Sequence, residues 1–325
     1  MRAAQCLAYG PPSGVVVVEV PDPVPAAGQV VVDVAAAAVN FPDVLLVADA
    51  YQVHIPVPFT VGSEFAGTVR LVGEGVDALS IGDRVMGSTM IGAFAEQIVV
   101  AASSLQRVHS EVELATAAAS GVAHQTAYHS LRSMARLVPG EWAVVLGAAG
   151  GVGLAAVQLG AALGARMVAA VSSPEKMALC LARGAEVAVD YGTEDLKERI
   201  KEITGGGADV VLDPVGGPYA EASLRALRWG GRFVTVGFAS GEIPRIPLNL
   251  VLLKGVVVSG FTMEGFGRHR REERARDLAE LAELAVSGRA APYISATYPL
   301  HQVDRALSDL AERRATGKVL VDPTR

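Results

Sequence analysis

The chain has 325 residues, 51% of them hydrophobic and 19% charged, so it can build full cores and disorder is excluded as its main state. A net charge of −6 weighs against a general nucleic-acid binder. Only two cysteines occur, Cys6 and Cys180, which excludes a disulfide framework and any zinc site needing three or four thiolates. At roughly 100–200 residues per domain, two domains are expected. The opening M-R-A-A-Q-C-L holds no apolar run of the signal-peptide kind, and with the cysteine count it sets the expectation of a cytoplasmic protein.

The first third reads as short strands. V-V-V-V-E-V (Val15 to Val20) and Q-V-V-V-D-V (Gln29 to Val34) flank a proline-rich turn, P-D-P-V-P-A-A-G. A-G-T-V-R-L-V, D-R-V-M-G and F-A-E-Q-I-V-V follow, and this spacing predicts a compact β-barrel-type domain. From Leu114 the composition turns helical, which places a domain boundary near Val122.

The middle third alternates strand and helix. W-A-V-V-L-G, R-M-V-A-A-V, E-V-A-V-D-Y, A-D-V-V-L-D, G-R-F-V-T-V-G and G-V-V-V-S-G-F are six strand signals, which predict a parallel, doubly wound sheet. The first helix is expected over Gly151 to Leu163, stopped at Gly164; a second starts with Ser173 as N-cap and Pro174 at its first position. Trp142 to Ala165 is uncharged and long enough for a bilayer, but its four glycines between Gly147 and Gly153 would break a spanning helix, so no membrane span is expected.

The last third opens with an amphipathic helix carrying Leu278, Leu281 and Leu284 on one side. Arg268, Arg270, Arg271, Arg274 and Arg276 cluster there. Interleaved Glu272, Glu273 and Asp277 favour a solvated face; the alternative is a clamp for an anionic substrate tail. T-Y-P-L-H-Q-V-D-R-A-L predicts a short strand and helix, and K-V-L-V a final strand.

The strongest chemical signal is G-A-A-G-G-V-G, Gly147 to Gly153, between a predicted strand and a predicted helix. In the dinucleotide frame G-x-G-x-x-G the key positions are Ala148, Gly150 and Gly153. Ala148 replaces the first glycine. Gly150 admits a close pyrophosphate and Gly153 close helix packing. Gly151, Val152 and Gly153 open the helix, whose free N–H groups and dipole favour phosphate. The plain alternative is an ordinary tight turn.

An NAD site places an acid at the end of the second strand, about 20 residues on. Here that strand ends in Ser172 and Ser173, with Lys176 on the next helical turn. A carboxylate would repel a 2′-phosphate; hydroxyls and an ammonium would hold it, so NADPH is the expected cofactor. Lysine is rare in this chain, five of the 28 basic residues, which sharpens the reading of Lys176. Tyr191, after the third strand, could add its hydroxyl or ring. The alternatives are a solvated Lys176 and a packing Tyr191.

The histidines, His54, His109, His124, His129, His269 and His301, form no H-E-x-x-H pattern, so no metal site is expected. No G-x-S-x-G elbow is present, which leaves acyl transfer without support.

Nearly end to end, the chain resembles the zinc-independent quinone oxidoreductase (zeta-crystallin-like) branch of the medium-chain dehydrogenase/reductase superfamily. The resemblance rests on V-N-F-P-D near Asn40, A-Y-Q-V-H-I-P-V-P-F-T-V-G-S-E-F-A-G-T-V from Ala50, G-D-R-V at Gly82, A-A-G-G-V-G at Ala148, S-S-P-E-K at Ser172, D-P-V-G-G at Asp213 and G-K-V-L-V at Gly317. Zinc-dependent relatives carry a cysteine near V-N-F-P-D and a histidine before the glutamate of G-S-E. Here the cysteine is missing and Ser63 replaces the histidine.

The resemblance implies an α/β protein: a GroES-like β-barrel-type catalytic domain, 1–122 with 266–325, and a six-stranded parallel Rossmann domain, 123–265, with NADPH in the cleft. It implies a homodimer paired through G-V-V-V-S-G-F. Asn40 and Tyr51 would face the substrate, Thr126 the nicotinamide, Phe238 and Phe261 the cleft, and Lys318 the cofactor. The plain alternatives are Asn40 as a helix cap, Tyr51 as packing, Phe238 and Phe261 as core, and Lys318 as solvated. The expected activity is NADPH-dependent hydride transfer to a small-molecule quinone, enone or related conjugated carbonyl, without zinc. Reduction of an enoyl or acryloyl thioester, or NADPH binding without turnover, are the alternatives.

Overall fold

The computed structural model describes all 325 residues, and the chain divides into two compact units: Met1–Val122 with Pro292–Arg325, and Ala123–Ala291.

The axis of the first unit is the strand Gln29–Val39. It is buried over nearly its whole length, as its valine and alanine content dictates. Glu64–Val72 lies antiparallel along one side; Gln97–Ala101 and then Lys318–Asp322 pair with its other edge. Ile294–Pro299 continues the sheet in parallel beyond Lys318–Asp322, and Arg84–Ser88 and Leu105–Arg107 extend the opposite edge. A smaller antiparallel sheet joins Val15–Glu19, Arg2–Cys6 and Phe59–Thr60. Phe65, Phe94, Leu300, Val303 and Leu307 fill the core, each worth roughly 1.5–3 kcal/mol of burial.

The second unit holds six parallel strands in the order Val187–Asp190, Arg166–Val171, Trp142–Leu146, Ala208–Asp213, Leu227–Thr235, Val257–Gly260. The order reverses next to Trp142–Leu146, the switch point where open sheets bind ligands beyond the strand ends. The first helix runs Gly151–Ala162, and Gly164 takes the left-handed turn (φ +83°) that ends it. Ser173 caps Pro174–Ala182 by accepting from the Lys176 N–H.

Two expectations are corrected. The second domain boundary falls after Ala291, not at 266. The reason is a buried polar seam. Asp277 accepts from His129 Nδ1 (2.9 Å) and Ser133 Oγ (2.6 Å), and Glu280 from Tyr128 Oη (2.6 Å), which binds 271–286 to the second unit. The single helix expected from Arg268 is two, Met263–His269 and Arg271–Val286, broken at Arg270 (φ −129°, ψ 49°). Leu281 is buried as its spacing predicts, but the other buried side chain on Arg271–Val286 is Asp277. No helix is long and apolar enough to cross a membrane.

Candidate active site

In the second unit, the turn after Trp142–Leu146 has two kinds of glycine. A Cβ on Gly153 would stand 2.2 Å from Gly147 O and 2.7 Å from Ala148 Cα, so the fold itself requires glycine there. A Cβ on Gly150 would meet only Gly147 O, at 3.4 Å, and its backbone is ordinary extended chain. The protein therefore leaves space at Gly150 that a close-packed ligand can use. Leu154 N–H donates to Gly150 O, so the N–H groups of Gly151, Val152 and Gly153 precede the helical ladder. Ala148 is buried and its N–H is tied to Ala170 O.

The next strand ends beside this turn. Lys176 Nζ donates to Ser172 Oγ at 3.4 Å on the exposed first turn of its helix. Tyr191 N–H donates to Val171 O, which sets Tyr191 next to Ser172, while its ring packs on Tyr219 at 4.3 Å. On the other side of the switch point, Asp213 ends its strand fully buried. Its Oδ1 accepts from the Val215 and Gly216 N–H groups (both 2.8 Å) and shapes the D-P-V-G-G turn. Burial pushes its pKa up, against the pull of those two donors, so its charged form is disfavoured. Phe238, half-exposed, borders that turn through Gly216. Phe261 is buried with its N–H on Thr235 O, and its ring lies 6.1 Å from that of His129. Thr126 is half-buried on the helix Val122–His129.

In the first unit, sheet register assembles a second polar cluster. Val319 pairs with Val39 and Glu64 with Ala38, so Lys318 and Glu64 flank the end of Gln29–Val39, where Asn40 follows. Lys318 Nζ donates to Asn40 Oδ1 (2.7 Å), Glu64 Oε2 (3.1 Å) and Val39 O (3.3 Å). Asn40 Nδ2 donates to Glu64 Oε2 (2.9 Å) and Ala38 O (3.3 Å). Glu64 Oε1 accepts from the Val122 N–H at 2.7 Å. Asp43 accepts from the Asn40 N–H (2.8 Å) at the start of the helix Phe41–Val47. Burial pushes Asp43 up to about 7, against the pull of Ser63, the Asn40 N–H and Lys318. Asn40, Asp43, Ser63, Glu64 and Lys318 are all buried; Tyr51 is half-buried against the same core.

This geometry revises the roles expected of two residues. Lys318 is neither solvated nor an unengaged cation, because its ammonium is spent on three acceptors of its own unit. Asn40 begins a helix, as the plain reading had it, and both its side-chain N–H groups already have acceptors. Within the arginine cluster, Arg268 and Arg270 are paired with Glu264 and Glu273, as a solvated, ion-paired face requires, whereas Arg276 is paired with the fully buried Asp277, which that expectation had placed on the surface. Asp43, Glu64 and Asp213 were not singled out from the sequence, although G-S-E and D-P-V-G-G lay in view. No group of three or more His, Cys, Asp or Glu side chains is arranged to hold a metal ion.

Residues 26–110 match the alcohol dehydrogenase GroES-like domain family and residues 151–283 the zinc-binding dehydrogenase family. The two-unit fold and this pair of matches define a medium-chain dehydrogenase/reductase, an oxidoreductase. Quinone oxidoreductase 1 of Escherichia coli is 33% identical over 320 residues, 97% of each chain. A quinone oxidoreductase-like protein 2 homolog of Nematostella vectensis is 36% identical over 297 residues, 90% of this chain and 81% of that one. The crystal structure of Escherichia coli quinone oxidoreductase complexed with NADPH superimposes with a TM-score of 0.93 at 32% identity, covering 99% of this chain and 100% of that one. The chain belongs to the quinone oxidoreductase, zeta-crystallin-like branch of that superfamily.

Proposed function

We propose that this oxidoreductase uses NADPH to reduce quinones or related conjugated carbonyls, without zinc. The observation that carries the cofactor reading is the exposed Lys176–Ser172 contact at the end of the second strand, where an NAD site would put a carboxylate. The turn fits a dinucleotide: Gly150 leaves room for a pyrophosphate and Gly151 to Gly153 offer N–H donors. Ser172, Ser173, Lys176 and Tyr191 would hold the 2′-phosphate end, and Thr126, Phe238 and Phe261 the nicotinamide end. When bound, NADPH supplies a hydride. Tyr51 donates a hydrogen bond to the acceptor oxygen as negative charge grows there, and Asn40, with its N–H groups engaged and its Oδ1 already accepting from Lys318, has only the second lone pair of that oxygen to offer. A reduced quinone takes its proton from water, so no buried acid is required.

The partner reading is a second copy of the chain. The edge strand Val257–Gly260 exposes Val257 and Val258, and Leu248, Leu252, Leu253 and Trp229 lie exposed on the elements beside it. An apolar sheet edge of this kind favours pairing. Free, buried Cys6 and Cys180 fit a reducing, cytoplasmic setting.

The test follows NADPH absorbance with para-benzoquinone, phenanthrenequinone, an alkenal and crotonyl-CoA in parallel, with NADH as control. Quinone turnover with a strong NADPH preference is expected. Lys176→Glu should lower that preference about tenfold or more, the worth of one charge-assisted hydrogen bond. Turnover with the thioester alone, or equal use of NADH, defeats the reading.

A further inference from the structure

Asn40 is held by two residues that no substrate would touch. Its Oδ1 faces the Lys318 ammonium at 2.7 Å and its Nδ2 faces Glu64 Oε2 at 2.9 Å, while Lys318 and Glu64 are themselves 3.1 Å apart. Lys318 is 3% exposed and Glu64 0%. An amide has two nearly isosteric orientations. A cation on one side and an anion on the other permit only one, because the flipped amide would put N–H against ammonium and carbonyl against carboxylate.

We propose that Glu64 and Lys318 are positioning residues which fix the polarity of the Asn40 amide, so that Asn40 offers the reaction an acceptor and never a donor. This deepens the functional reading above and rests on it for the consequence in turnover. The pair is poorly explained as a stability device alone. A buried ion pair recovers its desolvation only through good geometry, and apolar residues of similar volume often serve stability equally well. Here the geometry converges on one amide. Glu64 is further pinned by the N–H of Val122, and Gly121 leaves the space its carboxylate occupies, since a Cβ there would stand 2.7 Å from Glu64 Oε1. The groups facing the pair are Asn40, the Val39 and Ala38 carbonyls, the Val122 N–H, and Asp43, which lies within its field.

The test is a double-mutant cycle in the full-length protein. Lys318→Met leaves an uncompensated carboxylate and Glu64→Gln an uncompensated ammonium, so each single variant lowers Tm, and kcat falls roughly 10- to 100-fold with the acceptor chemistry misaligned. Combining the two removes both charges. Tm should recover toward wild type, because no buried charge is orphaned. Turnover should not recover: the new glutamine, anchored to Val122 through its carbonyl, turns an N–H toward Asn40 and inverts the amide. The inversion is read directly from the Asn40 side-chain NH2 resonances, slowly exchanging and hydrogen-bonded in wild type and shifted in the double variant. Recovery of kcat together with Tm in the double variant would overturn the proposal, as would wild-type Asn40 amide protons that exchange as freely as those of an exposed asparagine. If the wild-type protein fails to reduce any quinone, the functional reading falls, and the resonances still decide the positioning role.

Discussion

Asp43 and Asp277 are both fully buried, one in each unit, yet their acidities move in opposite directions. At Asp43 burial wins over the pull of Ser63, the Asn40 N–H and the Lys318 charge, and the group is pushed up to about 7. Asp277 suffers burial too, but His129 Nδ1, Ser133 Oγ and the Arg276 guanidinium all donate to it, and together they hold it below the usual carboxylate range. Burial sets the cost of a charge; the number and charge of the donors decide whether the charge persists. Asp43 is thus a group poised to change state near neutrality, inside the cluster that holds Asn40. Asp277 is a fixed anion that fastens two helices.

The comparison is broken most severely at Asp277. Asp277→Ala leaves His129 Nδ1, Ser133 Oγ and one arm of Arg276 without an acceptor, so unfolding free energy should drop by about 3–5 kcal/mol, measured by urea titration. A loss under about 1 kcal/mol would mean the seam is not what fastens Arg271–Val286 to its unit.

At Asp43 the expected effect is smaller and has a pH signature. Its folded pKa lies above its unfolded value, so the folded state binds the extra proton. Stability from this group is greatest below about pH 4 and is lost as pH rises through about 7, above which the penalty is fully established. Asp43→Asn keeps an acceptor for the Asn40 N–H but cannot ionise. The variant should match wild type at about pH 4 and below, and be increasingly more stable as pH rises to about 8, by a few kcal/mol at most. Parallel stability curves across that range would show that Asp43 does not titrate there.

Legibility in the sequence follows the distance between partners. The Gly147–Gly153 turn and the Ser173–Pro174 helix start could be read because their contacts lie within a few residues, where backbone geometry dictates residue type. Lys318 contacts Asn40 and Glu64 across 278 and 254 residues, and only the sheet register of three strands brings them together. Its sequence neighbours mark a strand, and nothing local marks the ammonium as buried. Asp277 was hidden differently. It sits in R-E-E-R-A-R-D, where a charge run reads as solvated surface, and its partners lie on a helix that composition could place but not orient. The same bias set the domain boundary too early, since the polar seam that assigns 266–291 looks like surface in one dimension.

The gentlest probe of the comparison is Arg276. Its guanidinium is 44% exposed, so its pairing with Asp277 is screened on one side and should be worth only about 1 kcal/mol. It nonetheless contributes one of the donors that separate Asp277 from Asp43. Removing it by Arg276→Ala leaves Asp277 with His129 and Ser133, and the carboxyl should rise toward its ordinary value. A carboxylate held low in the folded state lends stability above its unfolded pKa and loses it as pH falls through the folded one. The variant should therefore be less stable than wild type by about 1 kcal/mol at pH 7. The difference should shrink down the acid limb and vanish where Asp277 is protonated in both proteins. A difference that persists undiminished in acid would instead assign Arg276 a packing role, carried by its aliphatic stem rather than its charge.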